Sequence, residues 1–270
     1  MRNAKEYVTV IKYRKKNKYT AAKGLFMKQN KYDDKIFFEK YSKMDRSVKG
    51  LAGAGEWETL ETLLPDFKGK RVLDLGCGFG WHCQYAVEHG AKAVTGVDIS
   101  EKMLEKAREK TDSAICYLQS SIEDISFQPD SFDVVLSSLA FHYIASFEQV
   151  VQKVSSVLAP GGAFVFSVEH PVFTAYGSQD WYYDENGKIL HFPVDNYFYE
   201  GERNANFLGE EVTKYHRTLT SYLNGLLQNG FELKAVVEPQ PSEQLLRTVP
   251  GMADELRRPM MLIISCAKTN

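Results

Sequence analysis

The sequence predicts an α/β fold: a mostly parallel, seven-stranded sheet with helices on both faces and an antiparallel edge strand. Three observations carry that prediction. From about residue 70, short apolar runs alternate with amphipathic stretches, the pattern of strands joined by crossover helices. A glycine-rich turn over residues 76–80 separates the first of these runs from its helix. The last two apolar runs, 231–239 and 260–268, lie about 20 residues apart, enough for an antiparallel pair with an irregular connection.

Each element follows in order. Residues 1–30 hold nine Lys and Arg against Glu6 alone, so the segment carries +8 and leaves −10 for the rest of the chain. It is expected as a basic extension without fixed structure, with a phosphate-binding arm as the alternative. A transit peptide is disfavoured because Ser is absent there. Residues 31–69 read as a helical cap and 70–270 as the core. In that core, 71–76 is a buried strand and the helix after it stops at Gly90. The next strand is 93–98, and Ser100 caps a helix with Met103, Leu104 and Ala107 on one face. Strands follow at 115–119 and 132–138. Ser146 with Gln149 forms a capping box for a helix carrying Val150, Val151, Val154 and Leu158, which Pro160, Gly161 and Gly162 end. A fifth strand is 163–169. Between 170 and 212 the pattern breaks: ten aromatics occur with no sustained period, as in an insertion. A helix over 214–229, with Leu219, Tyr222, Leu223 and Leu226 on one side, restores it.

The chain of 270 residues, 44% hydrophobic and 25% charged, is long enough for a core without staples. No run approaches 18 apolar residues and no signal-peptide segment opens the chain, so no membrane span is expected and a cytoplasmic location follows. Cysteines at 77, 83, 116 and 266 show no metal-finger spacing; free thiols and no metal are expected. A net charge of −2, negative outside the first 30 residues, gives the body no attraction to nucleic acid.

The chemistry concentrates at Asp74-Leu75-Gly76-Cys77-Gly78-Phe79-Gly80. Backbone without side chains lets a ligand approach, and a helix N-terminus offers unpaired amides. Asp98 ends the next strand, where a carboxylate can accept both hydroxyls of a ribose. A dinucleotide fingerprint would place the third glycine one residue later, and Asp74 suits an ammonium better than a pyrophosphate, which disfavours a nicotinamide oxidoreductase.

With VLDLGCGFG over 72–80, GVDIS over 96–100 and SFDVV over 131–135, the sequence resembles the class I S-adenosylmethionine-dependent methyltransferases, in particular their broad small-molecule group. The resemblance covers residues 70–170 and implies a Rossmann-like fold with S-adenosylmethionine as cofactor. It implies that Gly76, Cys77 and Gly78 cradle the methionine part, with Asp74 serving its amino group, and that Asp98 holds the ribose. Ile99 and Met103 would pack on the adenine. Ser121 and Ile122 stand where the family has an acid and a small residue at the adenine; Ser121 departs from that acid. Ser137 would face the sulfonium region. Tyr41, Met44, Arg46 and the run 50–57 would form a lid over the cofactor.

The sulfonium is already activated, so alignment supplies much of the rate and a base is needed only if the acceptor must lose a proton. His142 and His170 follow the fourth and fifth strands, where an acceptor would lie, and are the candidate bases; His170 is preferred because it opens the insertion. That insertion is the expected wall of an acceptor pocket. A small organic acceptor is the leading reading. The rivals are nucleic-acid methylation through the basic tail, disfavoured because residues 137–140 read Ser-Ser-Leu-Ala rather than an NPPY-type segment, and a noncatalytic cofactor-binding protein. Oxygen, nitrogen and carbon acceptors are all compatible with these residues, as is any oligomeric state.

Overall fold

A computed structural model of the chain describes residues 30–269. The basic extension expected over 1–30 lies outside the described residues except for Asn30. The described chain opens with short helices α1 (Lys35–Tyr41), α2 (Asp45–Val48) and α3 (Trp57–Thr62). Asp34 caps α1 by accepting from the Phe37 amide. Then come β1 (Arg71–Leu75), α4 (Trp81–Glu88), β2 (Ala93–Asp98), α5 (Glu101–Lys110), β3 (Cys116–Gln119), β4 (Phe132–Ser138), α6 (Phe147–Val157) and β5 (Leu158–Glu169). Ser100 and Ser146 cap α5 and α6 as expected.

The segment after β5 holds the short helix α7 (Pro171–Thr174) and two hairpins, β6 (Tyr182–Tyr183) with β7 (Ile189–His191) and β8 (Gly201–Phe207) with β9 (Glu210–His216). The chain closes with α8 (Leu219–Gln228), β10 (Phe231–Val237), α9 (Glu243–Thr248) and β11 (Met261–Lys268).

Seven strands form one sheet in the order β10-β11-β5-β4-β1-β2-β3. All neighbours are parallel except β11, which runs antiparallel to both β5 and β10. The chain steps outward from β1 to β3 and then returns to β4 on the other side of β1. Such a reversal leaves a crevice at the carboxyl ends of β1 and β4.

Alternation along the strands divides the core. Leu73, Leu75, Val135 and Phe166 pack with α6 and α8 through Val150, Val154, Tyr222 and Leu226. Val72, Val134, Leu136 and Ile263 pack with Cys83 and Ala86 of α4 and Leu104 of α5. Both faces are covered, which is why the parallel strands read as continuous apolar runs.

Three expectations need correction. The helix expected to begin at 214 begins at Leu219: in β9 the buried Val212, Lys214 and His216 alternate with less buried residues, and Thr218 caps the helix by accepting from the Ser221 amide. The helix expected to end at Pro160 ends at Val157, and β5 takes in Pro160, Gly161 and Gly162. The stretch expected to lack a period carries two hairpins. Arg258 holds part of it, lying 4.7 Å over the Phe173 ring and 5.1 Å over Trp181. No helix among the described residues is long and apolar enough to cross a membrane, and all four cysteines are free thiols.

Candidate functional site

The turn after β1 is built from backbone. The amides of Gly76 and Cys77 both donate to the Val97 carbonyl, at 2.8 and 3.0 Å, binding the turn to β2. Gly76 has φ +77°, and a Cβ there would stand 2.4 Å from the Ala140 side chain. Gly78 has φ +53° and nothing within 4 Å of where a Cβ would stand. The Gly78 and Ser100 amides donate to the two oxygens of Asp98, each at 2.9 Å. A carboxylate oxygen accepts more than one bond, so both keep a lone pair for another donor. Burial, against the opposing Ser100 and Gly78 amides, pushes the Asp98 carboxyl up to about 6.

Beside this turn, at the carboxyl edge of the sheet, lies a cavity of about 460 Å³. That is within the size range of small-ligand sites. Of the residues singled out from the sequence, Gly76, Cys77, Gly78 and Asp98 line one wall, joined by Ile99, Met103, Ser121 and Ile122. The Ser121 hydroxyl caps the turn that follows it, accepting from the Glu123 amide at 3.3 Å. His142 lines the cavity as well.

Three expected residues do not line it. Asp74 shares the strand face of Val72, so its carboxyl points at α4, where Oδ2 takes the Cys83 thiol at 3.4 Å and Oδ1 has no partner among the described residues; burial pushes it up to about 7. Ser137 donates to the Leu75 carbonyl at 2.7 Å, inside the sheet, and its neighbour Ser138 meets the cavity instead. His170 caps α7, accepting from the Val172 amide at 3.0 Å, while its Nε2 lies 2.9 Å from Glu238. The His-Pro pair at 170–171 is itself a helix-start signature, with proline in the first turn.

The N-terminal helices roof the cavity. Tyr32, Tyr41, Met44 and Arg46 line it. Arg46 pairs with the buried Glu56 at 2.7 Å, and Ser138 donates to the same oxygen at 3.1 Å. Burial would raise the Glu56 carboxyl, but Arg46 outweighs it and holds it below the usual range. Asp33 anchors the roof, accepting from the Ser100 hydroxyl at 2.6 Å. Phe37 of α1 packs with Ala205 and Val212 of the β8–β9 hairpin, and Lys40 reaches Glu210 of that hairpin at 3.0 Å. The two covers therefore meet above the cavity.

The opposite wall was not legible as a site. Glu169 ends β5, Gln179 sits in the loop after α7, and Lys214 is on β9. Lys214 is 2% exposed and donates to Glu169 Oε1 at 2.5 Å and to Gln179 Oε1 at 2.8 Å. Gln179 returns a bond to Glu169 Oε2 at 2.6 Å. Burial would raise the Glu169 carboxyl, but His142 and Lys214 outweigh it and hold it below the usual range. His142 Nδ1 accepts the Glu169 amide at 3.3 Å, and burial pushes the imidazole down to about 4, so the ring is neutral near pH 7. Leu139 and Gln179, both at the cavity, hold φ of 50° and 60°, strained for residues with a side chain.

A methyltransferase-domain family model matches residues 73–166. A solved structure of a proposed S-adenosylmethionine dependent methyltransferase from Listeria monocytogenes is 58% identical, covering 82% of this chain and 100% of its own, with a TM-score of 0.78. An S-adenosylmethionine dependent methyltransferase from Mesorhizobium loti is 42% identical, covering 81% of this chain and 100% of its own, with a TM-score of 0.75. An uncharacterized Haemophilus influenzae protein is 34% identical over 88% of this chain and 96% of its own. A malonyl-[acyl-carrier protein] O-methyltransferase of Erwinia pyrifoliae is 43% identical over 36% of each chain.

Proposed function

The chain belongs to the class I S-adenosylmethionine-dependent methyltransferases, and from that premise we propose that it methylates a small organic acceptor held in the cavity. One observation carries the reading: a single cavity joins the glycine turn and Asp98 at one wall to the buried Lys214–Glu169 pair at the other.

The residues present fit the cofactor. The open space at Gly78 is what a ligand lying on that backbone requires. Asp98 would take the ribose hydroxyls, and Ile99, Met103, Ser121 and Ile122 would hold the adenine. Gly76 and Cys77 would bear the methionine part. Arg46 is a donor for its carboxylate, and so is Trp81, which lines the cavity with a buried Nε1 that has no partner among the described residues. Asp74, beneath the turn, would act on the amino group through its charge, and Ser137 would act by fixing the end of β1.

When bound, S-adenosylmethionine supplies a methyl group on a sulfonium, which leaves as the neutral thioether once the carbon–sulfur bond breaks. The chain has to align the acceptor and keep water out. The helical roof (31–69) and the hairpin segment (170–212) serve as covers. Neutral His142 carries its proton on Nε2, because the Glu169 amide already occupies Nδ1, so in this state it orients an acceptor as a donor. The relation to an O-methyltransferase over the core supports an oxygen acceptor.

The test is a screen of organic acids, phenols and amines against the full chain for acceptor-dependent formation of S-adenosylhomocysteine. Turnover with at least one of these is expected. Binding of S-adenosylhomocysteine without such turnover, together with methylation of RNA or DNA, would overturn the reading.

A further inference from the structure

Four side chains of the far wall, His142, Glu169, Gln179 and Lys214, are not among the residues assigned above to the cofactor. Taking an ammonium out of water is costly unless it is paired, and Lys214 is paired, with Glu169 and Gln179. An ammonium has three N–H donors. The third has no oxygen partner among the described residues; the rings nearby, Phe207 at 5.3 Å and Tyr143 at 5.8 Å, offer their faces.

Each acceptor oxygen of Glu169 already holds one donor of the wall itself. Glu169 Oε1 takes Lys214 and Oε2 takes the Gln179 amide nitrogen. His142 adds a donor, not an acceptor: a backbone amide can only donate, so Nδ1 is unprotonated and the ring proton sits on Nε2. That Nε2 lies 3.9 Å from Glu169 Oε1, beyond hydrogen-bond reach. The wall therefore presents spare donors, one of them cationic, to a space that Tyr143, Phe173 and Phe207 also line. An incoming amine would meet the Lys214 charge, and the Glu169 charge that would attract it is already paired with Lys214.

We propose that this wall is a subsite for an anionic oxygen, so that the methyl acceptor is a small organic acid, phenolate or enolate, with Lys214 and His142 donating to the charged oxygen and Glu169 and Gln179 holding Lys214 in place. The assignment rests on the methyl-transfer reading and names its substrate class. Gln179, in its left-handed conformation, is the positioning residue that bridges both partners.

The experiment uses the full chain saturated with S-adenosylhomocysteine, whose binding is measured first by calorimetry. Benzoate, benzamide and benzylamine, which share a ring and differ in charge, are then titrated. Benzoate is expected to bind about tenfold or more tightly than benzamide, and benzylamine more weakly than either. In the double variant Glu169→Gln/Lys214→Met, which leaves no buried charge unpaired, benzoate affinity is expected to fall to that of benzamide, with S-adenosylhomocysteine affinity retained.

Failure of S-adenosylhomocysteine to bind would strike the methyl-transfer reading itself. If it binds, then benzylamine matching or exceeding benzoate, no millimolar benzoate binding, or a preference that survives the double variant would each overturn the subsite. The wild-type ranking stands as a test even if the variant fails to fold.

Discussion

The Gly78 amide donates to Asp98 Oδ2 at 2.9 Å, so the turn that ends β1 and the carboxylate that ends β2 are one hydrogen-bonded unit. The Ser100 amide on the other oxygen ties the start of α5 into the same unit. Asp98 is 9% exposed and carries no cation partner among the described residues, and these two amides oppose the burial that raises its carboxyl. A side chain expected only to grip a ribose is therefore also the clasp between two strand ends.

Replacing Asp98 should therefore move two observables. Asp98→Ala or Asp98→Asn removes acceptors for the ribose, costing on the order of 1–3 kcal/mol of S-adenosylhomocysteine binding. Asp98→Ala also strands the Gly78 and Ser100 amides and Asp98→Asn one of them, so the melting temperature should fall as well. Calorimetry and thermal melts on the same samples check both; wild-type affinity in either variant would remove Asp98 from the binding site.

The raised carboxyl gives a pH dependence of known sign. Protonation neutralises Asp98 and turns one oxygen into a donor, so the ligand prefers the ionised form. Affinity for S-adenosylhomocysteine should be full above about 6 and decline as pH falls through that value. The same titration on Asp98→Asn should be flat across this window.

Asp74 makes the opposite demand, on stability. Its folded carboxyl is pushed up to about 7 from the ordinary 3.8, so the folded state holds a proton the unfolded chain has lost. Its ionisation therefore destabilises the protein progressively as pH rises from about 4 through 7. Asp74→Asn should melt above wild type at pH 8, and the difference should close toward pH 5. Equal melting curves at pH 8 would mean that Asp74 is not held above its ordinary range.

Which parts of this molecule were legible follows from the range of the interactions involved. The parallel strands announced themselves because both sheet faces are covered, and the caps at Ser100 and Ser146 are local chemistry. The turn and Asp98 were legible because strand ends and glycines are written in consecutive residues. The turn of the Asp74 side chain toward α4 was not legible, because alternation tells which residues share a face, not which helix covers it. Lys214 was hidden by its hairpin: Leu208 and Gly209 at the turn both have positive φ, yet Leu-Gly lacks the Asn-Gly signature of such turns, so the alternation of 210–216 was absorbed into a helix. Gln179 and Glu169 meet Lys214 only through the tertiary fold.

His170, the base preferred from the sequence, has the contacts of a helix cap, and its variants should behave accordingly. His170→Ala removes the acceptor of the Val172 amide and should cost about 1 kcal/mol of stability. Turnover on the identified acceptor and S-adenosylhomocysteine affinity should stay near wild type. His170→Asn, whose side chain caps as well, should recover most of the melting temperature, since the Glu238 partner is exposed. A large loss of turnover in a stable His170→Asn protein would return the residue to the mechanism.

The loop that carries His142 and Tyr143 to the cavity is held by one side chain from the far side of the hairpin. Arg217, 7% exposed, donates to the carbonyls of Phe141, at 3.2 Å, of Ala145, at 3.0 Å, and of Ile144. A guanidinium fork spreads five donors over two terminal nitrogens and Nε and so spans several carbonyls, whereas the compact ammonium of a lysine covers less of that span. Arg217→Met strands these buried oxygens, and its cost should be on the order of 3 kcal/mol, read from denaturant unfolding. Arg217→Lys should recover only part of it. Because Asp98 and the glycine turn hang on β1 and β2, S-adenosylhomocysteine affinity in the folded fraction should change little, whereas benzoate binding, which needs His142 in place, should weaken. Unchanged stability in Arg217→Met would mean that the loop is fixed by its aromatic packing, Phe141 against Phe166 and Phe147, and not by the arginine.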